Sequence, residues 1–225
     1  MVSPPLPRAW LGLLLTVACA EVIDLQEAEL DPALAQGGAP GGDRGGGGDG
    51  GAGLVDAALC ATYCDAVQTS CTGAFAVYGS RDACLAVCAA LPAGEPGDVA
   101  GNTIQCRLAS AASAAAEPAY YCASAGPSGN GVCGSSCDAL CSISEAVCTG
   151  DAAQWSSTSA CMADCADLAD LETYSVDPAA AMYAGDHVQC RIFHASASAL
   201  ADPHVHCAHA GGEPPCAPEP IGGAP

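Results

Sequence analysis

Lysine is absent from this 225-residue chain, and five basic residues face twenty-five acidic ones, for a formal net charge of −20. A chain so negative repels nucleic acid and anionic lipid surfaces, which excludes both as electrostatic partners. Large aromatic side chains are scarce, with two Phe and two Trp. Alanine fills most apolar positions, and burying a methyl group stabilises far less than burying Leu or Phe. A fold made from such residues needs covalent bracing. No Cys-x-x-Cys pair occurs, which argues against a zinc ribbon and against haem attachment. No nucleophile elbow, P-loop or dinucleotide fingerprint stands in its proper context, and no EF-hand spacing is present. β-Branched residues never alternate over a useful length, so strand signals are weak. The longest apolar run, "AWLGLLLTVACA" at 9–20, is too short to span a bilayer as a permanent helix.

Cysteine is abundant by contrast, with seventeen residues. From Cys60 onward sixteen of them fall into two series: Cys60, 64, 71, 84, 88, 106, 122, 133 and Cys137, 141, 148, 161, 165, 190, 207, 216. The first four gaps are identical, with three, six, twelve and three intervening residues, and the later gaps drift as loops do. This is a tandem duplication of a unit of about 80 residues with an even set of thiols. The expected organisation is a leader over 1–19, an acidic and glycine-rich flexible tether over 20–52, repeat 1 over 53–134, repeat 2 over 135–216, and a disordered tail over 217–225.

The leader reads as a secretory signal, placing the repeats in an oxidising compartment. Two ends are open to it. "ACA" at 18–20 suits ordinary signal peptidase, and "LTVAC" resembles a bacterial lipobox that would lipidate Cys19. Cys19 is the thiol left over from the two even sets, which favours lipidation. With no basic patch, that lipid would be the membrane attachment. The residues after Cys19 lack the aspartate associated with inner-membrane retention, so the expected location is the outer membrane or cell surface.

The fold expected is mainly α, with three short helices per disulfide-rich unit. Cys60, Cys64 and Cys71 fall on one stripe within about 40° on a 3.6-residue helix. Ser80 and Ser157 or Thr158 can cap a second helix. Asn102 with Gln105, and Asp186 with Gln189, mark the start of a third, which runs to a stop at Pro118 or Pro203. Two successive helices bearing Cys-x3-Cys suggest an antiparallel hairpin with outer and inner staples: Cys60–Cys88 with Cys64–Cys84, and Cys137–Cys165 with Cys141–Cys161. An up-down-up path then suits Cys71–Cys122 with Cys106–Cys133, and by equivalence Cys148–Cys207 with Cys190–Cys216. "GPSGNGVCG" at 126–134 reads as a turn-rich linker.

The strings "GNTIQCR…YYCASAGPSGNGVCG" and "DHVQCRIFHASASALADPHVHCAHAG" resemble cysteine-rich modules of myxobacterial-type envelope and secreted proteins. The resemblance covers about 56 to 216 and implies a tandem, exported, disulfide-rich form with no chemistry attached. Repeat 1 departs from it: Ser110, Tyr121 and Ser124 stand where repeat 2 has His194, His206 and His209.

All five histidines lie in repeat 2, at 187, 194, 204, 206 and 209. Neutral imidazoles suit a divalent transition metal. His204 and His206 face one way if their segment is extended, with His194 approaching from the third helix and His209 nearby. The plainer reading makes them half-exposed residues beside a helix end and a disulfide. Arg107 and Arg191 are expected to form intramolecular ion pairs. No resident cofactor is expected. The function expected is that of a non-enzymatic, lipid-anchored envelope protein presenting two stapled modules to an extracellular protein or glycan. The alternative is a metal-binding or redox accessory protein.

Overall fold

The computed structural model describes residues 55–218. The leader, Cys19, the tether and the tail beyond residue 218 lie outside the described residues. Those described all belong to one compact unit.

Repeat 1 contains α1 (Ala57–Ser70), α2 (Arg81–Ala90), α3 (Ile104–Ala114) and α4 (Pro118–Ala125). Repeat 2 contains α5 (Ser136–Val147), α6 (Thr158–Cys165), α7 (Val188–Ser198) and α8 (Pro203–Ala210). Among the described residues there is no strand, only an isolated bridge between Ala169 and His187. Each helix start has a local cause. Asp56, Ser80, Thr103, Ser157 and Asp202 accept from first-turn backbone N–H groups, and Ser135 forms a capping box with Asp138.

Four helices per repeat replace the expected three. Pro118 and Pro203 occupy the first turn of α4 and α8 instead of closing the preceding helix. A first-turn N–H has no intrahelical acceptor, so a residue without one starts a helix at no hydrogen-bond cost. The third-helix caps are Thr103 and His187, one residue later than Asn102 and Asp186. In α7 the His187 Nδ1 accepts from Cys190 N at 3.0 Å.

Eight disulfides link the sixteen cysteines: Cys60–Cys88, Cys64–Cys84, Cys71–Cys122, Cys106–Cys133, Cys137–Cys165, Cys141–Cys161, Cys148–Cys207 and Cys190–Cys216. These are the pairs read from the spacing. Their Cα separations of 5.5 to 5.7 Å suit unstrained bridging. Five of the bridges, Cys60–Cys88, Cys64–Cys84, Cys71–Cys122, Cys137–Cys165 and Cys141–Cys161, lie in the core with Tyr63, Val67, Val87, Leu140, Ile143 and Ile192, where larger side chains would otherwise be needed, and Cys148–Cys207 forms a second small cluster with Ala152.

One buried cluster runs through both repeats. Backbone and side-chain bonds stitch the junction. Val176 N donates to Ala76 O at 2.9 Å, and Asn102 Nδ2 donates to Asp138 O and Ser142 Oγ at 3.1 and 2.9 Å. Residues 126–134 are turn-rich as expected, with a 3-10 turn at Gly129–Gly131, and pack into the fold. Pro127, Ser128 and Gly129 are buried, and Gly134, at φ +88°, passes so close to Asn102 that a Cβ would lie 2.6 Å from that side chain.

Candidate functional site

The two third-helix arginines anchor the same place in each repeat by different means. Arg107 is fully buried and meets no carboxylate among the described ion pairs, contrary to expectation. Its Nε donates to Gly126 O at 3.1 Å, Nη1 to Thr103 O at 3.2 Å, and Nη2 to Asn102 Oδ1 and Pro127 O at 2.8 and 3.0 Å. Carbonyl dipoles replace the counter-ion because the planar guanidinium offers five donors in a fork that fits them. Arg191 instead pairs with Asp164 at 3.0 Å and Asp186 at 3.7 Å, and donates to Gly211 O at 3.3 Å. Gly126 and Gly211 are equivalent positions, so both arginines hold the chain leaving the last helix against the third.

That clamp sets the face on which repeat 2 differs chemically from repeat 1. α7 and α8 pack side by side; Cys190–Cys216 ties the start of α7 to the segment after α8, and Cys148–Cys207 ties α8 to the end of α5. His194 sits one turn after Cys190. His206 and His209 lie three residues apart on α8 and so share a face. Their nitrogens converge: His194 Nδ1 is 3.2 Å from His206 Nδ1 and 3.3 Å from His209 Nδ1. His194 Nε2 lies 3.0 Å from Tyr183 O. A carbonyl can only accept, so Nε2 carries the proton and the Nδ1 lone pair faces the other two rings. Burial pushes the His194 pKa below its ordinary value, with smaller lowering from His209 and His206 and an opposing effect of the Tyr183 bond. Burial also lowers that of His206, helped by His209 and opposed by Asp202.

His204 does not join this group, contrary to expectation. The segment is helical rather than extended, so His204 and His206, two residues apart, point to different sides, and His204 is exposed. His187 is engaged at both nitrogens, Nδ1 capping α7 and Nε2 donating to Ala184 O at 2.9 Å. The signal for the true grouping was the His-x2-His spacing, which becomes legible only once Pro203 is seen to open a helix. In repeat 1 the matching Ser110 and Ser124 are buried and Tyr121 is half-buried.

A second feature lies at the repeat junction. An apolar surface groove of about 340 Å³ runs between Val77 and Tyr78 of repeat 1 and Tyr174, Val176, Phe193 and Leu200 of repeat 2. Leu200 is 52% exposed there.

Fold and bridges define a mainly helical, disulfide-rich protein of two tandem units, of the kind that matures in an oxidising, extracellular environment. Among the described residues no helix is long and apolar enough to cross a membrane. The chain belongs to the BfoA family: the model of the BfoA family C-terminal domain matches twice, at 49–138 and 135–223. No curated protein and no solved structure matches the chain.

Proposed function

We propose that this is a non-enzymatic protein of the cell envelope that presents its two braced repeats, as one rigid unit, to an extracellular protein partner. The observation that supports this reading is the junction groove. It is apolar, it needs both repeats to exist, and it keeps Leu200 in solvent, a combination typical of surfaces that close against a partner. The bridges reinforce it, because a surface that is rigid beforehand loses little conformational entropy on binding. Anchoring through a lipid on Cys19, with the acidic, glycine-rich tether holding the repeats off an outer membrane or cell surface, completes the proposal; a glycan partner is the other outcome of the test.

A photo-reactive residue placed at Leu200 in the native host tests it, with Val99, 72% exposed and not among the groove's lining residues, as the control position. A discrete protein adduct from position 200 alone supports the proposal. Adducts equal at both positions, or none from position 200, refute it, and a glycosidase-sensitive adduct assigns the surface to a glycan. Intact mass of the purified protein reports the lipid on Cys19 directly.

A further inference from the structure

Beyond an interaction role, the α7–α8 face carries a site of its own. We propose that His194, His206 and His209 form a three-imidazole site for a divalent transition ion of the zinc class, in the second repeat alone. The distances carry this. Ions bound to imidazole nitrogen at about 2.0–2.1 Å in a tetrahedron hold their ligand nitrogens about 3.3–3.4 Å apart. A square-planar site with similar bonds holds neighbouring nitrogens about 2.8–3.0 Å apart. The two separations from His194, 3.2 and 3.3 Å, match the tetrahedral edge, and the three ligand nitrogens all lie within 4.8 Å of one another.

Hydrogen bonding among the rings explains the arrangement less well. With Nε2–H given to the Tyr183 carbonyl, His194 Nδ1 has one in-plane lone pair, yet two imidazole nitrogens approach it. One lone pair cannot accept well from both, whereas three lone pairs aimed at one ion are all satisfied. The Tyr183 bond is also the outer contact that metal-bound imidazoles ordinarily have, fixing tautomer and ring orientation. Three neutral nitrogen ligands select a transition ion over calcium or magnesium, which favour oxygen. The fourth tetrahedral position falls to water or an exogenous ligand. A dication also meets no long-range penalty in a chain of net charge −20.

Zinc titration of the untagged full-length oxidised protein tests the site, with cobalt(II) as the spectroscopic probe. Reductant is omitted, because Cys190 and Cys216 lie within 4.8 Å of a His194 ring nitrogen and freed thiolates would build another centre. One equivalent should bind with a Kd on the order of 1 μM or below, and the cobalt form should show the intense visible bands of tetrahedral coordination. His206→Tyr and His209→Ser install the residues that repeat 1 uses at the same positions, so the fold is kept. Each should weaken binding by at least roughly 100-fold, more than the loss of an outer contact. His204→Ala should change nothing. Absence of saturable binding, or affinity unmoved by His206→Tyr and His209→Ser, overturns the site; a weak octahedral cobalt spectrum overturns the tetrahedral assignment.

Discussion

Replacing Arg107 with methionine tests the central brace of repeat 1. Methionine keeps much of the volume and removes the donors. Four contacts disappear, to Gly126 O, Thr103 O, Asn102 Oδ1 and Pro127 O. Two of these acceptors keep a partner, since Gly129 N still donates to Gly126 O and residue 107 N to Thr103 O. Pro127 O and Asn102 Oδ1 are left without their guanidinium. Pro127 O is buried and Asn102 Oδ1 sits on a half-buried side chain that water can reach, so the first acceptor loses about 1–3 kcal/mol and the second less. Removing a buried charge recovers part of the desolvation energy, which leaves a net loss of about 2 kcal/mol. In guanidinium chloride that lowers the midpoint by roughly 0.5–0.7 M. Equilibrium unfolding without reductant, followed by the near-UV dichroism of Tyr63 and Tyr78, measures it. Arg107→Lys keeps the charge but offers a point donor in place of the fork, and should recover less than half the loss. An Asn102→Ala and Arg107→Met cycle should show coupling above about 0.5 kcal/mol. A loss below about 1 kcal/mol for Arg107→Met, or a wild-type midpoint for Arg107→Lys, refutes the carbonyl-clamp reasoning.

The buried tyrosine pair makes stability fall at alkaline pH. Tyr63 donates to Ala125 O at 2.6 Å, leaving Tyr78 to donate to Tyr63 across 2.8 Å, and burial pushes Tyr78 up to about 12. Its contribution is complete below pH 10, the unfolded value. It declines by about 1.4 kcal/mol per pH unit as pH rises towards 12; burial raises Tyr63 and Tyr174 as well, so Tyr78→Phe should lessen the alkaline slope by about that share without abolishing it, and an unchanged slope assigns it elsewhere. Removing Cys148–Cys207, which spans 59 residues, should cost about 4 kcal/mol, and removing Cys64–Cys84, which spans 20, about 3 kcal/mol; paired alanine variants in denaturant melts check the order. Gly134→Ala should destabilise by more than about 1 kcal/mol, since its φ of +88° is left-handed and a Cβ would meet Asn102 at 2.6 Å; a neutral effect in the same melts rejects the close packing inferred there.

Cysteine spacing alone was enough to read the duplication and, through the antiparallel hairpin of two Cys-x3-Cys helices, the outer and inner staples of each unit; the other two bridges rested on an assumed up-down-up path, one of many ways to join the remaining four cysteines. The helical class followed from the stripes and caps. Pro118 and Pro203 were ambiguous at that level, since proline suits both the residue after one helix and the first turn of the next. That ambiguity hid the grouping of the histidines: an extended "HVHCAH" sets His204 beside His206, and a helical one sets His206 beside His209. Arg107 was equally open, because whether a buried guanidinium finds a carboxylate or a row of carbonyls depends on where the chain returns after α4. Composition and periodicity are local and settle what is local, the braces and the helices. Which three imidazoles meet, and which groups surround the buried charge, was decided by the packing of α7 on α8 and of the 126–134 turn on α3, contacts between residues that the spacing pattern does not place.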